Sequence, residues 1–270
     1  KFKEAGIQLV FGIRGLKVHS KICVITRETA SKGLEYFGFI STGNFNESTA
    51  RIYTDHTLFT AHKGILLEVH KVFDFLETTY KVRKYKHLIV SPHYTESTFT
   101  RLIQQEIVNA KAGKEAYIRI KMNSFTSYKM IDKLYKASHE GVKVDLIIRG
   151  INCLIPGVKG MSENIRAISV VDKFLEHTRM FIFANGGDPK VFISSADWMT
   201  RNIENRVEVG VPIYQDNLKQ ELIEVYDLCW NDNQKARVFS AKQDNAYKKN
   251  KKEAIRSQFA LYDYFKSKLD

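Results

Sequence analysis

The sequence predicts an α/β fold made of two halves related by a pseudo-twofold axis, the first half cut short on its N-terminal side. Three observations predict it. Residues 88–150 alternate strand, helix, strand, helix, strand, which in a layered protein implies parallel pairing with helices laid on the sheet. A basic His motif, an apolar strand and a small polar strand end occur twice, as Val18-His19-Ser20-Lys21 with Ser41-Thr42-Gly43-Asn44 and as Glu176-His177-Thr178-Arg179 with Ser194-Ser195-Ala196-Asp197. In both copies an acidic residue stands eleven positions after the polar end, Asp55 after Asn44 and Glu208 after Asp197.

In chain order, Glu4-Ala5-Gly6 before Ile7-Gln8-Leu9-Val10-Phe11 parallels His139-Glu140-Gly141 before residues 142–148, so a strand is expected over residues 7–11. Gly12 and Gly15 read as loop hinges ahead of the His19 strand. A hairpin connection is expected over residues 26–34. An amphipathic helix follows over 62–76, where apolar residues recur every three or four positions. Leu88-Ile89-Val90 opens the alternating unit: helix 96–112, strand 117–120, helix 127–138 stopped by Gly141, strand 142–148. The second His strand turns at Asn185-Gly186-Gly187-Asp188, and its repeat ends in a helix over 217–230. A closing helix over 249–268 offers Phe259, Leu261, Tyr262 and Phe265 for packing. The His-to-polar-end distances, 25 and 20 residues, differ within the hairpin connections. The first repeat lacks the opening strands and helices of the second. The expectation is therefore a fragment, opening on Lys1, with a partial first domain at 1–86 and a complete second domain at 87–270.

Composition bounds the partners. With 270 residues, 44% of them hydrophobic, a large core is available. The 42 Lys and Arg against 30 Asp and Glu give a net +12, which favours a polyanion such as nucleic acid, polyphosphate, a nucleotide or anionic lipid. Lys248, Lys249, Lys251 and Lys252 read as a solvated helix face. Cys23, Cys153 and Cys229 are far apart among apolar neighbours and read as buried reduced thiols, with no metal-ligand spacing. No apolar run approaches the roughly 20 residues that span a bilayer, so a cytoplasmic location is expected, with peripheral membrane association left open.

The chemistry rests on the repeat. Side chains two apart on a strand share a face, so His19 with Lys21, and His177 with Arg179, should each present an imidazole beside a cation. Such a pair suits phosphate: the cation neutralises phosphoryl oxygens while a neutral imidazole attacks phosphorus or moves a proton. Asp55 and Glu208 are candidates to hold the other ring nitrogens. Asn44, Thr42 and Ser195 could donate to phosphate oxygens, and Asp197 could orient neighbouring donors. Arg51, Arg149, Arg201 and Arg206 flank strand ends where a guanidinium could clamp phosphate; Arg149 terminates the run Leu146-Ile147-Ile148. His56, His62, His70, His87, His93 and His139 have no repeated company and read as structural or exposed. The chain has no Walker-type phosphate loop.

His-x-Lys followed by a Gly-x-Asn strand end resembles the phospholipase D superfamily, although the acidic residue usual after that motif is absent, Thr26 and Arg27 occupying its neighbourhood, and Arg179 replaces the second Lys. Longer strings resemble the bacterial polyphosphate kinases that form a phosphohistidine: Gly15-Leu16-Lys17-Val18-His19-Ser20-Lys21, Ser41-Thr42-Gly43-Asn44-Phe45-Asn46-Glu47, Tyr53-Thr54-Asp55 and Ser194-Ser195-Ala196-Asp197-Trp198-Met199-Thr200-Arg201-Asn202. So do Asn164-Ile165-Arg166-Ala167-Ile168-Ser169 and Leu175-Glu176-His177. The resemblance spans essentially the whole chain and implies two phospholipase-D-like domains at the C-terminal end of such an enzyme. By it, His19 matches the phosphorylated histidine, His177 the second essential histidine, Tyr53 and Arg149 positions that contact ATP, and Arg206 and Glu208 charged positions near the site. It implies ATP, ADP and inorganic polyphosphate as partners, no nucleic acid, a homo-oligomer at full length, and Mg²⁺ whose associated residues would precede Lys1. The expected phosphate and ATP contacts are thus Lys21, Asn44, Tyr53, Arg149, Arg179 and Arg206, and the fragment alone is expected to be inactive. The rival readings are a phospholipase-D-like phosphodiesterase or nuclease, and a basic polyanion-binding module without turnover.

Overall fold

The computed structural model describes residues 1–10, 12–31, 33–78 and 81–269. The first half contains β1 (Lys17–Val18), β2 (Lys21–Thr29), β3 (Gly33–Ser41), α1 (Glu47–Ala50), β4 (Tyr53–Thr54), β5 (Thr57–Thr60) and α2 (Lys63–Glu77). β2, β3 and β5 form an antiparallel sheet whose first ladder runs from Lys21↔Ser41 to Thr29↔Gly33. The connection expected over 26–34 is therefore largely strand. The ladder continues to the tip, where Gly33 adopts a φ of 68° that only glycine takes freely. The expected strand over 7–11 does not form: residues 3–5 make a 3₁₀ turn closed by Gly6, residues 7–10 pair with nothing in a ladder, and Phe11 lies outside the described residues. Ile7 and Val10 remain about half exposed, so no neighbouring strand buries them.

Helix α2 starts where the His62 side chain accepts the Ile65 N–H, capping one orphan donor. Its face of Ile65, Leu66, Val69, Val72 and Phe75 is buried, and each such side chain contributes about 1.5–3 kcal/mol of transfer free energy. Glu68 on the same helix is also buried. Its carboxylate accepts the backbone N–H groups of Lys86, His87 and Leu88, which pins the passage into the second half.

The second half contains β6 (Ile89–Val90), α3 (Thr95–Lys111), β7 (Tyr117–Met122), α4 (Tyr128–His139), β8 (Lys143–Ile148), β9 (Ile165–Ser169), β10 (Leu175–Glu176), β11 (Arg179–Phe183), β12 (Lys190–Ser194), α5 (Thr200–Glu204), β13 (Arg206–Val207), β14 (Val209–Ile213), α6 (Asp216–Trp230), β15 (Arg237–Val238) and α7 (Ser257–Lys266). Its main sheet has the order β15-β9-β8-β7-β11-β12-β14-β6. β7, β8 and β9 are parallel as the alternation predicts. β6 is not their neighbour. It pairs antiparallel with β14 at the far edge, because the β11–β12 hairpin and β14 take the other side of β7.

Period-two alternation splits the core across this sheet. Ile120, Phe181 and Phe183 join Phe99, Leu134 and Trp198 under α3 and α4. Met180 and Ile182 face the other way and meet Leu66, Val69, Leu222 and Tyr226 from α2 and α6. Helices of both halves therefore share one apolar layer. The closing helix is shorter than expected: residues 249–256 are not helical, so Lys248–Lys252 form no helix face. Lys248 instead donates to the Trp230 carbonyl and lies over the indole ring. Leu261 packs inward, whereas Phe259, Tyr262 and Phe265 stay exposed. Of the three cysteines only Cys229 is buried, its thiol pushed up to about 12 by desolvation; Cys23 is half-buried and Cys153 exposed. Among the described residues no helix is long and apolar enough to cross a membrane.

Candidate active site at the crossing of the two halves

Two short parallel ladders join the halves. β1 pairs with β13, and β4 pairs with β10. The ladders continue one step beyond their strands, His19 N–H donating to the Val207 carbonyl at 3.0 Å and His177 N–H to the Thr54 carbonyl at 3.2 Å. Register then decides the partners. Each histidine lands beside the carboxylate of the other half: His19 Nδ1 lies 2.9 and 3.0 Å from the Glu208 oxygens, and His177 Nδ1 lies 2.8 Å from Asp55 Oδ1.

The carboxylates are held by matched devices. Thr42 Oγ1 donates to Asp55 and accepts the His56 N–H, while Ser195 Oγ donates to Glu208 and accepts the Val209 N–H. The Ser41 hydroxyl accepts the Gly43 N–H as the Ser194 hydroxyl accepts the Ala196 N–H, both at 3.1 Å. Asn202 Nδ2 adds a donor to Glu208 at 2.7 Å, and Arg206 Nη1 stands 3.9 Å away. Gly43 is required by space: a Cβ there would sit 1.9 Å from Asp55 Oδ2. Hydrogen bonds from His177 and Thr42, with the Arg179 charge, hold the Asp55 carboxyl below its ordinary range against the opposing desolvation, which is the largest single influence.

The two histidines differ in their second nitrogen. His177 Nε2 lies 3.0 Å from Arg179 Nη1, and the same guanidinium donates to the His177 carbonyl, to the Thr42 carbonyl and, through Nε and Nη2, to both Asp197 oxygens. Burial first, then the charges of Arg179 and Lys21, push the His177 imidazole down despite Asp55. With Nδ1–H on Asp55 the neutral ring offers its Nε2 lone pair to Arg179. His19 Nε2 has no hydrogen-bond partner among the described residues, and its side chain is 21% exposed. One lone pair is occupied and the other is open.

The expectation that each histidine and its cation share a continuous strand is corrected. His19 falls in the break between β1 and β2, and His177 in the break between β10 and β11, because the chain there leaves the other half and enters its own sheet. The cations still reach inward. Lys21 Nζ donates to the His19 carbonyl and lies in the fields of Glu208, Arg179, Asp55 and Arg206; burial pushes it down to about 8. Tyr53 sets its ring 4.9 Å from the His177 ring. Arg149 Nε donates at 2.6 Å to Asn123 Oδ1 and at 2.6 Å to the Glu176 carbonyl. Asn44 is exposed at the β3 end, Arg51 pairs with Glu47 at the surface, and Arg201 is exposed on α5.

Residues that sequence reasoning passed over complete the network. Asn123, at the carboxyl end of β7, donates its N–H to Asp197 and its amide to the His177 carbonyl. Position at the end of a parallel strand was the signal that could have found it. Behind His177, Glu176 forms a buried ion pair with Lys121 at 2.8 Å and accepts from Gln258 of α7 at 2.7 Å. His56, read as structural, is half-buried with Nδ1 2.9 Å from Thr178 Oγ1, and desolvation pushes it down to about 4.

Comparison with known proteins fits this arrangement. Residues 88–258 match the family description "Polyphosphate kinase C-terminal domain 2" and residues 1–82 match "Polyphosphate kinase C-terminal domain 1". The chain belongs to the polyphosphate kinase family. It is 48% identical over 265 residues to the polyphosphate kinase of Vibrio parahaemolyticus, covering 98% of this chain and 38% of that protein. It is 43% identical over 268 residues to the Escherichia coli polyphosphate kinase, covering 99% of this chain and 39% of that protein. The crystal structure of polyphosphate kinase from Porphyromonas gingivalis superposes with a TM-score of 0.92 at 41% identity, over 98% of this chain and 41% of that one. The chain thus spans about two fifths of the length of these polyphosphate kinase relatives.

Proposed function

We propose that these residues serve a reversible ATP:polyphosphate phosphotransferase acting through a phosphohistidine on His19. The open Nε2 of His19 is the observation that carries the reading, since its pseudo-equivalent on His177 is engaged by Arg179. In the first step the Nε2 lone pair forms a bond to the γ-phosphorus. The bond from that phosphorus to the β–γ bridging oxygen breaks, and its electron pair leaves with ADP. The Nδ1 proton stays on the ring, where Glu208 stabilises the positive charge that develops. In the second step the terminal oxygen of polyphosphate attacks the same phosphorus, the P–N bond returns its electrons to Nε2, and the chain is longer by one unit.

Phosphoryl transfer depends mostly on positioning and on neutralising equatorial oxygens. Lys21, Arg179, Arg206 and Arg149 supply that charge, while Asn44 and Tyr53 contact the ATP phosphates at the rim. His177 holds Arg179 in place as a neutral acceptor, and can take a proton once phosphate draws the guanidinium away. Mg²⁺ would accompany the nucleotide. Among the described residues no group of three or more His, Cys, Asp or Glu is arranged to hold a metal ion. The same reading takes 1–86 as part of a first catalytic domain and 87–270 as the second, in a cytoplasmic homo-oligomer whose partners are ATP, ADP and polyphosphate rather than nucleic acid.

The test is labelling of the natural gene product that carries this sequence with ATP bearing a labelled γ-phosphate. Alkali-stable, acid-labile label lost in His19→Ala supports the reading; undiminished label in that variant removes His19 from the role.

A further inference from the structure

Glu208 and Asp55 answer each other across the pseudo-twofold axis, but their surroundings are unequal. Asp55 takes both of its side-chain donors, Thr42 Oγ1 and His177 Nδ1, on Oδ1. Glu208 sets its two oxygens on His19 Nδ1, at 2.9 and 3.0 Å, and each oxygen takes one further donor: Ser195 Oγ at 2.5 Å on Oε2, and Asn202 Nδ2 at 2.7 Å on Oε1. Ser195 has a counterpart in Thr42. Asn202 has none. It stands eight positions after Ser194, and the residue eight positions after Ser41 is Thr49, whose hydroxyl donates to the Asn46 carbonyl at 3.0 Å instead of to Asp55.

The Asn202 side chain is also incompletely satisfied. The residue is 1% exposed, and its Oδ1 has no hydrogen-bond partner. A carboxylate only accepts, so the amide NH2 must face Glu208 and the carbonyl oxygen is left where no donor reaches it. A buried acceptor without a partner is destabilising, and an apolar side chain would remove that penalty. The unpaired oxygen therefore points to a use for the donor.

We infer that Asn202 is a positioning residue for transfer out of the phosphohistidine, acting through Glu208. This rests on the phosphotransferase reading of His19 and assigns a residue to its second step. While phosphorus is bonded to Nε2 the ring carries a positive charge and its Nδ1 proton. When the acceptor oxygen bonds to phosphorus, the P–N bond breaks and its electron pair returns to Nε2; with the proton still on Nδ1, the leaving group is neutral imidazole. Donation by Asn202 fixes the plane of the carboxylate and draws on its negative charge, so Glu208 accepts from Nδ1–H without drawing the proton off. Without the amide the carboxylate pulls harder on that proton, and a ring that has surrendered it must leave as imidazolate. Transfer to polyphosphate and back-transfer to ADP share this departure, and both should slow. Attack on ATP uses the Nε2 lone pair, which a stronger pull on Nδ1–H enriches, so formation of the phosphohistidine is spared.

The experiment times the two half-reactions separately in the natural gene product, by rapid quench with ATP labelled at the γ-phosphate and then by chase of the labelled protein with polyphosphate or ADP. In Asn202→Ala the labelling rate should stay within about threefold of the parent while chase into either acceptor slows about tenfold, the effect of losing one hydrogen bond to a charged group. Phosphohistidine should then build up during turnover. Asn202→Asp keeps the shape and replaces the donor by an acceptor, and its chase should be at least as slow. A variant that merely folds less well lowers the amount of labelled protein and leaves the chase rate of that protein unchanged. Equal slowing of both half-reactions, or a chase in Asn202→Ala as fast as the parent's, overturns the role of Asn202 and leaves the phosphotransferase standing. Absence of label on histidine in the parent overturns that reading and this inference with it.

Discussion

His19 and Glu208 are 189 positions apart in the chain and meet at 2.9 Å, because β1 and β13 pair in a register that sets the residue after one strand against the residue after the other. The second ladder repeats the relationship with His177 and Asp55. Neither half holds a complete histidine–carboxylate pair by itself. The site exists only where the halves cross.

Glu208→Gln keeps the shape of the side chain but removes the charge that fixes the Nδ1–H tautomer and supports the growing imidazolium. Rapid-quench measurement should show phosphohistidine formation slowed roughly a hundredfold or more. Asp55→Asn should act less on that step and more on KM, since His177 positions Arg179 rather than forming the bond.

Lys21 should set an alkaline limit. Its ammonium is held down to about 8 by burial, so the free protein loses that charge as pH rises through about 8, and with it part of its attraction for phosphate. The profile of kcat/KM should fall there, and Lys21→Arg should move the fall upward. A profile flat to pH 10 in the parent, with KM for ATP unchanged in Lys21→Ala, would exclude Lys21 from phosphate binding.

His56 should make folding sensitive to mild acid. Its folded value of about 4 lies below the unfolded 6.5, so the unfolded chain binds more protons between those values and stability falls as pH drops through that window. Allowing for partial exposure of the ring, the loss is about 2 kcal/mol between pH 7 and 4. Asp55, whose folded value is depressed, loses its contribution at lower pH, below its ordinary range. Urea titrations across pH should show the loss, and His56→Gln should lessen it, His177, whose imidazole burial also holds down, keeping a share.

Gly43→Ala should disturb the site through shape alone. The added methyl meets the Asp55 carboxylate, so Asp55 must leave His177 or the β3 end must shift, at about 1–3 kcal/mol. Thermal unfolding and activity should both decline. The equivalent position, Ala196, already carries a Cβ, so Ala196→Gly should leave activity near that of the parent.

Much of this was legible in the sequence because repetition exposes function. The recurrence of His, cation, polar strand end and acid picked out His19, His177, Lys21, Arg179, Asp55 and Glu208, and the structure gathers all six. Helical periodicity placed α2, α3, α4 and α6 within a residue or two. What stayed hidden was non-local. Spacing alone does not say that each carboxylate serves the other half's histidine, because that depends on the register of two-residue ladders. Local pattern likewise could not place β6 at the far edge, nor keep residues 7–10 out of a sheet when no strand lies beside them. Asn123 and Lys121 were passed over because neither has a counterpart in the first repeat, and recurrence was the signal in use. The difference between the histidines was illegible too, since it turns on where a single guanidinium of Arg179 points.

That difference can be measured directly. Phosphorylated protein, prepared with ATP and mapped by peptide mass spectrometry, should carry phosphate on His19, and phosphorus–nitrogen coupling in NMR should place it on Nε2, the nitrogen facing away from Glu208. Phosphate on Nδ1 of His19, or on His177, would contradict the account at its centre.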